Sequence, residues 1–195
     1  MKKLTAEQIQ INWETLMDII EKHISEDRKE NLMKFYEDFK DRMMFAPASA
    51  KGDFHNAMPG GYVEHILHII SFSLEIKQLW EKNEAMINFT DEELVFAAMH
   101  HDLGKVGDFQ HYGIKVTDKE YIGIKLTDGL YDDANTAYLK GYNPDYKLRT
   151  NMCYILHQAD MMATHIEYDQ WKRGDEVVNT KVPKTKDEQK QVDNL

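Results

Sequence analysis

The stretch FAAMHHDLGKVGD, residues 96–108, places two histidines and an aspartate directly after an apolar run. Two other apolar runs contain residues of the same kind: GGYVEHILHII, residues 60–70, and NMCYILHQADMMATHIEY, residues 151–168. Polar groups buried in such runs cost free energy unless they are paired or bind a metal. The sequence therefore predicts one metal site built from three helical segments. Its four ligands are His65, His101, Asp102 and Asp160.

Two imidazoles and two carboxylates suit a hard-to-borderline divalent cation, such as Mn, Co, Fe, Ni, Zn or Mg. The absence of cysteine near these residues argues against a structural zinc site. Adjacent residues point about 100° apart on a helix. His101 and Asp102 can therefore share an ion if it lies over the seam between them or if the helix ends there. Gly104 and Gly107 favour such an ending.

These residues resemble the HD-domain metal-dependent phosphohydrolases. That family has a first histidine on one helix, a His-Asp pair opening an HDxGK motif on another, and a later aspartate that often follows alanine. In this chain the pattern falls on His65, on HDLGK at residues 101–105, and on Asp160 within HQADMMA. The resemblance extends from about residue 47 to residue 171, roughly two thirds of the chain.

The stretch APASAKGDFHNAMPGGYVEH, residues 46–65, limits the resemblance to a smaller subgroup of the family. It looks like the approach segment of a phage and bacterial subgroup that includes phage dATP triphosphohydrolases and, more distantly, YhaM-type 3'-to-5' exoribonucleases. The resemblance implies an all-α fold, a compact HD-domain helical bundle with the metal site between the central helices. It also implies hydrolysis of a (deoxy)nucleoside mono- or triphosphate by metal-activated water.

Further residues are candidates for catalysis or substrate contact. Lys105, three residues beyond Asp102, either contacts a substrate phosphate as a point charge, and so contributes to catalysis with the four metal ligands, or is a solvated lysine at the helix end. Lys51, His55 and Asn56 are expected to contact substrate, since loop residues commonly do so. His68 and His157 each lie one helical turn from a predicted ligand, where they either orient it or pack.

One segment departs from the family pattern. Relatives commonly carry HDG on the helix after the HD motif, whereas residues 122–135 read IGIKLTDGLYDDAN, with Thr127 in place of that histidine. The connection from HDLGKVGD to FQHYGIKV, within residues 101–116, also looks shorter than in the relatives. We therefore predict a site that is functionally mononuclear or that binds a second metal weakly.

Other functions fit the same residues. An enzyme alternative is a 3'-to-5' exonuclease or a cyclic-nucleotide phosphodiesterase. A different class is a non-catalytic nucleotide-binding or interaction protein on an HD scaffold. Taken one at a time, His65 is typical of a hydrogen-bonded core histidine and Asp160 of a buried ion pair; the metal site is predicted from their joint occurrence with HDLGK.

The composition limits the class of protein. The chain has 195 residues, 42% of them hydrophobic, and is most simply one domain. A formal charge of -10 makes it a poor candidate for sequence-independent nucleic-acid binding. No apolar run has the length of a signal peptide or of a membrane span. We therefore expect a small-molecule nucleotide as partner, no membrane or nucleic acid, and a location in the cytoplasm of the cell or of an infected host. A homo-oligomer is left open.

Capping signals and apolar periodicity predict the helices. Thr5 with Gln8, Thr90 with Glu93, and Thr117 with Glu120 read as capping boxes. Two packing helices occupy residues 1–44, and the second is a single helix that starts at Ser25 and has Leu32, Tyr36, Phe39 and Met43 on one face. The HD-like part spans residues 45–171, with a central helix over residues 62–80, a turn-rich loop over residues 128–147 and a last helix over residues 148–171. We expect residues 172–195 to be a polar, disordered tail.

Overall fold

A computed structural model describes residues 3–52, 54–103, 112–140, 148 and 150–174. Over these residues the chain forms eight α-helices and no strand, which confirms the predicted all-α class. The helices are α1 (Ala6–His23), α2 (Glu26–Asp38), α3 (Lys40–Phe45), α4 (Gly61–Lys82), α5 (Asp91–His100), α6 (Asp118–Lys125), α7 (Thr136–Leu139) and α8 (Met152–Arg173). Among the described helices, none has the length and apolar character needed to cross a membrane.

The three predicted capping boxes are confirmed. At the start of α1 the Thr5 hydroxyl accepts a hydrogen bond from the Gln8 backbone N–H at 3.2 Å, and the Gln8 side chain accepts one from the Thr5 N–H at 2.9 Å. The same reciprocal pair of bonds begins α5 and α6. These bonds satisfy backbone donors that have no partner inside the helix, so the starts are set by local sequence.

The prediction of one unbroken second helix was wrong, because the chain breaks at Phe39 between α2 and α3. The backbone of Phe39 has φ -106° and ψ 10°, outside the helical region. Its ring packs against Phe35, with a centroid distance of 5.1 Å. Leu32 and Met43 are both fully buried on either side of the break. The apolar stripe therefore continues across the interruption, which is why periodicity alone predicted a single helix.

The bounds of α8 also differ from the prediction. The helix begins at Met152 rather than at residue 148. The Thr150 hydroxyl accepts a hydrogen bond from the Met152 N–H, and the Asn151 side chain donates one to the Met86 carbonyl. At the other end α8 continues to Arg173 and stops at Gly174, whose φ of +72° favours glycine. The first two residues of the predicted tail are therefore helical, and residues 175–195 lie outside the described residues.

The central position predicted for the third helix is confirmed by its packing. Helix α4 contacts α1, α3, α5 and α8. Its residues Ile66, Ile69 and Ile70 are completely buried.

The turn-rich loop after α6 contains two 3-10 turns, Gly129–Tyr131 and Asp133–Asn135, followed by the short α7, in agreement with the prediction of only short helical pieces. The packing brings the three segments with predicted metal ligands together, since His65 lies on α4, Asp160 on α8 and His101 at the end of α5.

A buried ion cluster joins three helices. Arg28 on α2 lies 2.8 Å from Glu92 on α5 and 2.8 Å from Glu120 on α6. Its guanidinium also lies 4.3 Å from the ring centroid of Phe96 and donates to the Lys115 carbonyl at 3.3 Å. The side chain of Glu120 is fully buried. This cluster holds α5, which leads to His101, against α2 and α6.

Candidate metal centre

A cavity of about 550 Å³ opens beside α4 and α8. Polar and aromatic side chains from several elements line it: Phe54, His55, His65, Asp102, Asp128, Tyr131, His157, Asp160, Met161, Thr164 and His165. Three of the four predicted ligands are among them. The fourth, His101, has its ring centroid 5.4 Å from that of His65.

The start of α4 depends on the two glycines before Tyr62. Gly60 has a φ of +82°, and a Cβ on Gly61 would lie 2.0 Å from the Asn56 carbonyl oxygen. Only glycine permits that approach. Asn56 is itself buried, and its side chain donates to Glu64 at 3.0 Å. These contacts hold the approach segment against the first turn of α4, which directly precedes His65.

His65 is held between two carboxylates. Its Nδ1 donates to Glu167, at 3.0 Å from Oε2 and 3.1 Å from Oε1. Its Nε2 lies 3.4 Å from Oδ1 of Asp160. A carboxylate at Nδ1 fixes the orientation of a histidine ring and directs Nε2 toward a metal. The imidazole is therefore positioned to ligate through Nε2.

His101 has a matching arrangement. Its Nδ1 donates to the Ala98 carbonyl at 2.7 Å, which leaves Nε2 as the acceptor nitrogen. That Nε2 is buried, and no hydrogen-bond partner reaches it within the described parts of the chain. It lies 3.7 Å from Oδ2 of Asp102. Since buried acceptors are normally satisfied, a cation at this nitrogen would complete its surroundings.

The ligand atoms are close enough for one ion. One donor atom from each of His65, His101 and Asp102 lies within 4.8 Å of the others, and Asp160 adds an oxygen near His65. Donor atoms about 2.0 to 2.6 Å from a shared cation have separations of this order. Such a set can hold a divalent cation and leave positions open toward the cavity.

The surroundings shift the pKa values of the two histidines in opposite directions. Burial by itself would lower the pKa of His65, but the charges of Glu167 and Asp160 raise it to about 10. Burial lowers the pKa of His101 despite the opposing charge of Asp102. Although burial alone would raise the pKa of Asp160, its bond to His65 holds that pKa below its ordinary value. A divalent cation bound here would therefore have to displace a proton from His65.

Glu167 was missed by the sequence analysis. It is fully buried on α8 and accepts from His65 and also from His68, whose Nδ1 lies 2.6 Å from Oε1. Burial alone would raise its pKa, yet the two histidines hold that pKa well below its usual range. His68 thus shares Glu167 with His65, which is the contact expected if it orients that histidine. Glu167 follows Asp160 by two helical turns, and this spacing on one helix face was the available signal.

The segment after α6 brings Asp128 to the cavity, whereas Thr127 faces away from it. The Thr127 hydroxyl donates to the Gly123 carbonyl at 2.8 Å, and its own carbonyl accepts from Nδ1 of His157 at 2.8 Å. A Cβ on Gly129 would lie 2.5 Å from the His157 ring. Burial and the charges of Asp160 and Asp102 raise the pKa of Asp128. Asp128, and His157 from α8, therefore line the same cavity as the predicted ligands.

The predicted substrate residues have different positions. His55 lines the cavity, and its ring centroid lies 5.0 Å from that of His65. Lys51 is exposed beside the cavity residue Phe54, with Nζ 5.3 Å from the ring centroid. Asn56 is buried against Glu64 instead of lining the cavity. Lys105 lies outside the described residues.

Comparisons of this chain with protein-family models, with curated proteins and with solved structures found no match. The resemblance to HD-domain phosphohydrolases therefore stays a prediction based on the motifs quoted above.

Replacement of Glu167 by glutamine is expected to weaken divalent-metal binding about 10- to 100-fold, the effect typical of losing a group that orients a metal-binding histidine. The amide keeps the shape of the side chain but removes the charge that holds Nδ1 of His65 and His68. Titration of Mn²⁺ against a competing chelator measures the affinity. Asp169→Asn is the matched control, because it removes one exposed charge from the same helix. Equal affinities for Glu167→Gln and wild type would contradict the positioning role.

Proposed function

We propose that the protein is a metal-dependent phosphohydrolase of the HD type that acts on a (deoxy)nucleoside mono- or triphosphate. One observation carries the proposal. Two histidines whose Nδ1 atoms are each held by an acceptor meet two aspartates at one cavity, and Nε2 of His101 is buried with no hydrogen-bond partner in the described residues. This set of donors suits a divalent cation better than a purely structural cluster, because its carboxylates carry like charges that a cation between them would balance.

The residues that would hold the cation are His65, His101, Asp102 and Asp160. When bound, a divalent ion supplies a Lewis acid for a phosphoryl oxygen and lowers the pKa of a water molecule toward neutrality. Asp102 and Asp160 would position the ion and balance its positive charge, and Glu167 would keep Nε2 of His65 directed toward it. The cavity beside them is large enough for a small organic ligand.

Proton transfer is assigned to the cavity histidines. Because Nδ1 of His157 donates to the Thr127 carbonyl, Nε2 is the atom of this ring that can accept or donate a proton. His55 and His165 also line the cavity. A histidine within hydrogen-bond reach of the attacking water or the leaving oxygen meets the requirement for general acid–base catalysis.

A nucleotide screen tests the proposal. Purified full-length protein is incubated with ribo- and deoxynucleoside mono- and triphosphates, cyclic nucleotides and short oligonucleotides, each with Mn²⁺, Co²⁺, Ni²⁺, Zn²⁺ or Mg²⁺. Release of phosphate, pyrophosphate or triphosphate that stops on chelation is the expected result. Turnover of only the cyclic nucleotides or oligonucleotides would favour the other enzyme class. Nucleotide binding without turnover under any metal would favour a non-catalytic protein.

Metal analysis is expected to give nearer one than two ions per chain after saturation with Mn²⁺ and removal of free metal. The reason is that Thr127 stands where a further histidine would be and its hydroxyl is bonded to Gly123. Elemental analysis against protein concentration measures the ratio. Two tightly held ions would contradict the mononuclear prediction, and loss of one of them in Asp128→Asn or His157→Ala would identify the residues that complete the second site.

A further inference from the structure

Two chemically different kinds of side chain line the cavity. Carboxylates and imidazoles belong to the candidate metal centre or lie beside it, and Phe54, Tyr131 and Met161 are apolar or aromatic. We propose that Phe54 and Tyr131 bind the planar base of a nucleoside monophosphate whose single phosphate lies at the metal centre. This inference rests on the proposed function and adds the part of the substrate that the aromatic residues recognise.

Both rings are exposed although they are large and apolar. Phe54 is 48% exposed and Tyr131 is 77% exposed. They reach the cavity from separate segments, the approach segment before α4 and the 3-10 turn after α6. Each is beside a cavity histidine: Phe54 precedes His55, and the Tyr131 ring centroid lies 5.7 Å from that of His157. Exposed aromatic faces at a pocket that contains polar groups are suited to stacking with a base.

Both rings lie next to histidines that line the same cavity as the candidate metal centre. This arrangement favours a ligand with a planar end and one anionic end. Phe54 is next in sequence to His55, whose ring lies 5.0 Å from His65. Tyr131 contacts His157, one helical turn before Asp160 on α8. A base on these rings therefore has its sugar and phosphate within the same cavity of about 550 Å³.

The charges of the described lining residues favour a monophosphate over a triphosphate. Asp102, Asp128 and Asp160 line the cavity, and the lining residues in the described ranges include no lysine or arginine. A phosphate monoester carries about -1.5 to -2 charge near pH 7, which one divalent cation can balance. A triphosphate carries more negative charge beside the same three carboxylates. Lys51, held against the Phe54 ring, supplies one positive charge at the edge.

The test uses binding, so that it does not depend on turnover. Calorimetry on Mn²⁺-loaded full-length protein compares the methylenephosphonate analogue of a purine nucleoside monophosphate with the same analogue of ribose 5-phosphate, which has no base. We expect Phe54→Ala and Tyr131→Ala each to weaken nucleotide-analogue binding about tenfold and to leave sugar-analogue binding unchanged. Tyr131→Phe keeps the ring and should bind as wild type. Tyr121→Ala, an exposed tyrosine on α6 outside the cavity lining, is the matched control.

The outcomes separate this inference from the proposed function. Equal binding of the two analogues, or unchanged binding by both alanine variants, overturns the aromatic base site even if nucleotides are hydrolysed. Tighter binding of a triphosphate analogue than of the monophosphate analogue overturns the single-phosphate assignment. Base-dependent binding that is lost in the variants supports the inference even if no phosphate is released, in which case only the hydrolytic function fails.

Discussion

Replacement of Asp102 by asparagine is expected to abolish the proposed hydrolysis, with a loss of at least about 100-fold in kcat. The neutral amide is a weaker ligand than a carboxylate and leaves less negative charge to hold a cation between His65 and His101. Asp102 lies just past the end of α5 with a side chain that is 26% exposed, so the change opens no hole in the core. Phosphate release in the metal-supplemented assay measures the effect, and circular dichroism should show nearly unchanged helix content.

His101→Ala is expected to have the same consequence by removing the buried Nε2. Asp133→Asn provides the control, since Asp133 is an exposed aspartate in the turn before α7 and does not line the cavity. Activity within a few fold of wild type in either Asp102→Asn or His101→Ala would show that this centre is not catalytic.

Replacement of Arg28 by alanine is expected to lower the free energy of unfolding by about 3–5 kcal/mol. The change leaves the carboxylate of Glu120 fully buried without the guanidinium that lies 2.8 Å from it. Burial already raises the pKa of Glu120 against the opposing effect of Arg28. Urea denaturation followed by circular dichroism measures the loss.

Two further variants separate the buried cluster from ordinary surface pairing. Lys29→Ala removes the neighbouring cation, whose partner Glu26 is 90% exposed, and should cost about 0–1 kcal/mol. Adding Glu120→Gln to Arg28→Ala should recover part of the loss, because an amide is less costly to bury than an unpaired carboxylate. Equal effects of Arg28→Ala and Lys29→Ala would contradict the structural role of the cluster.

The sequence predicted the helices well where their limits depend on neighbouring residues. The capping boxes at Thr5, Thr90 and Thr117 are formed by bonds between residues three apart, and all three are present. The break at Phe39 was not predicted, because the apolar stripe that supports a helix continues through it. The start of α8 was misplaced for a related reason, since Asn151 donates to Met86 far away in the sequence.

In the candidate site, too, the sequence predicted what local patterns determine and missed what tertiary contacts determine. The HDLGK motif and the apolar settings of His65 and Asp160 were sufficient to select the residues that the structure brings together. Asn56, expected to contact substrate, is instead buried beneath the start of α4, because its contact with Glu64 depends on how the approach segment folds back. Glu167 was missed although its spacing two turns after Asp160 was an available signal, because its role depends on its contacts with His65 and His68.

The amino-acid sequence by itself determined the all-α class, the helix starts and the set of polar residues embedded in apolar runs, because these follow from local hydrogen bonding and from the cost of burying charge. Only the tertiary structure decided which buried charges neutralise one another: Glu167 with His65, and Arg28 with Glu120. Those pairs join residues about 90 to 100 positions apart. Their interaction depends on the distance created by helix packing, which no local pattern contains.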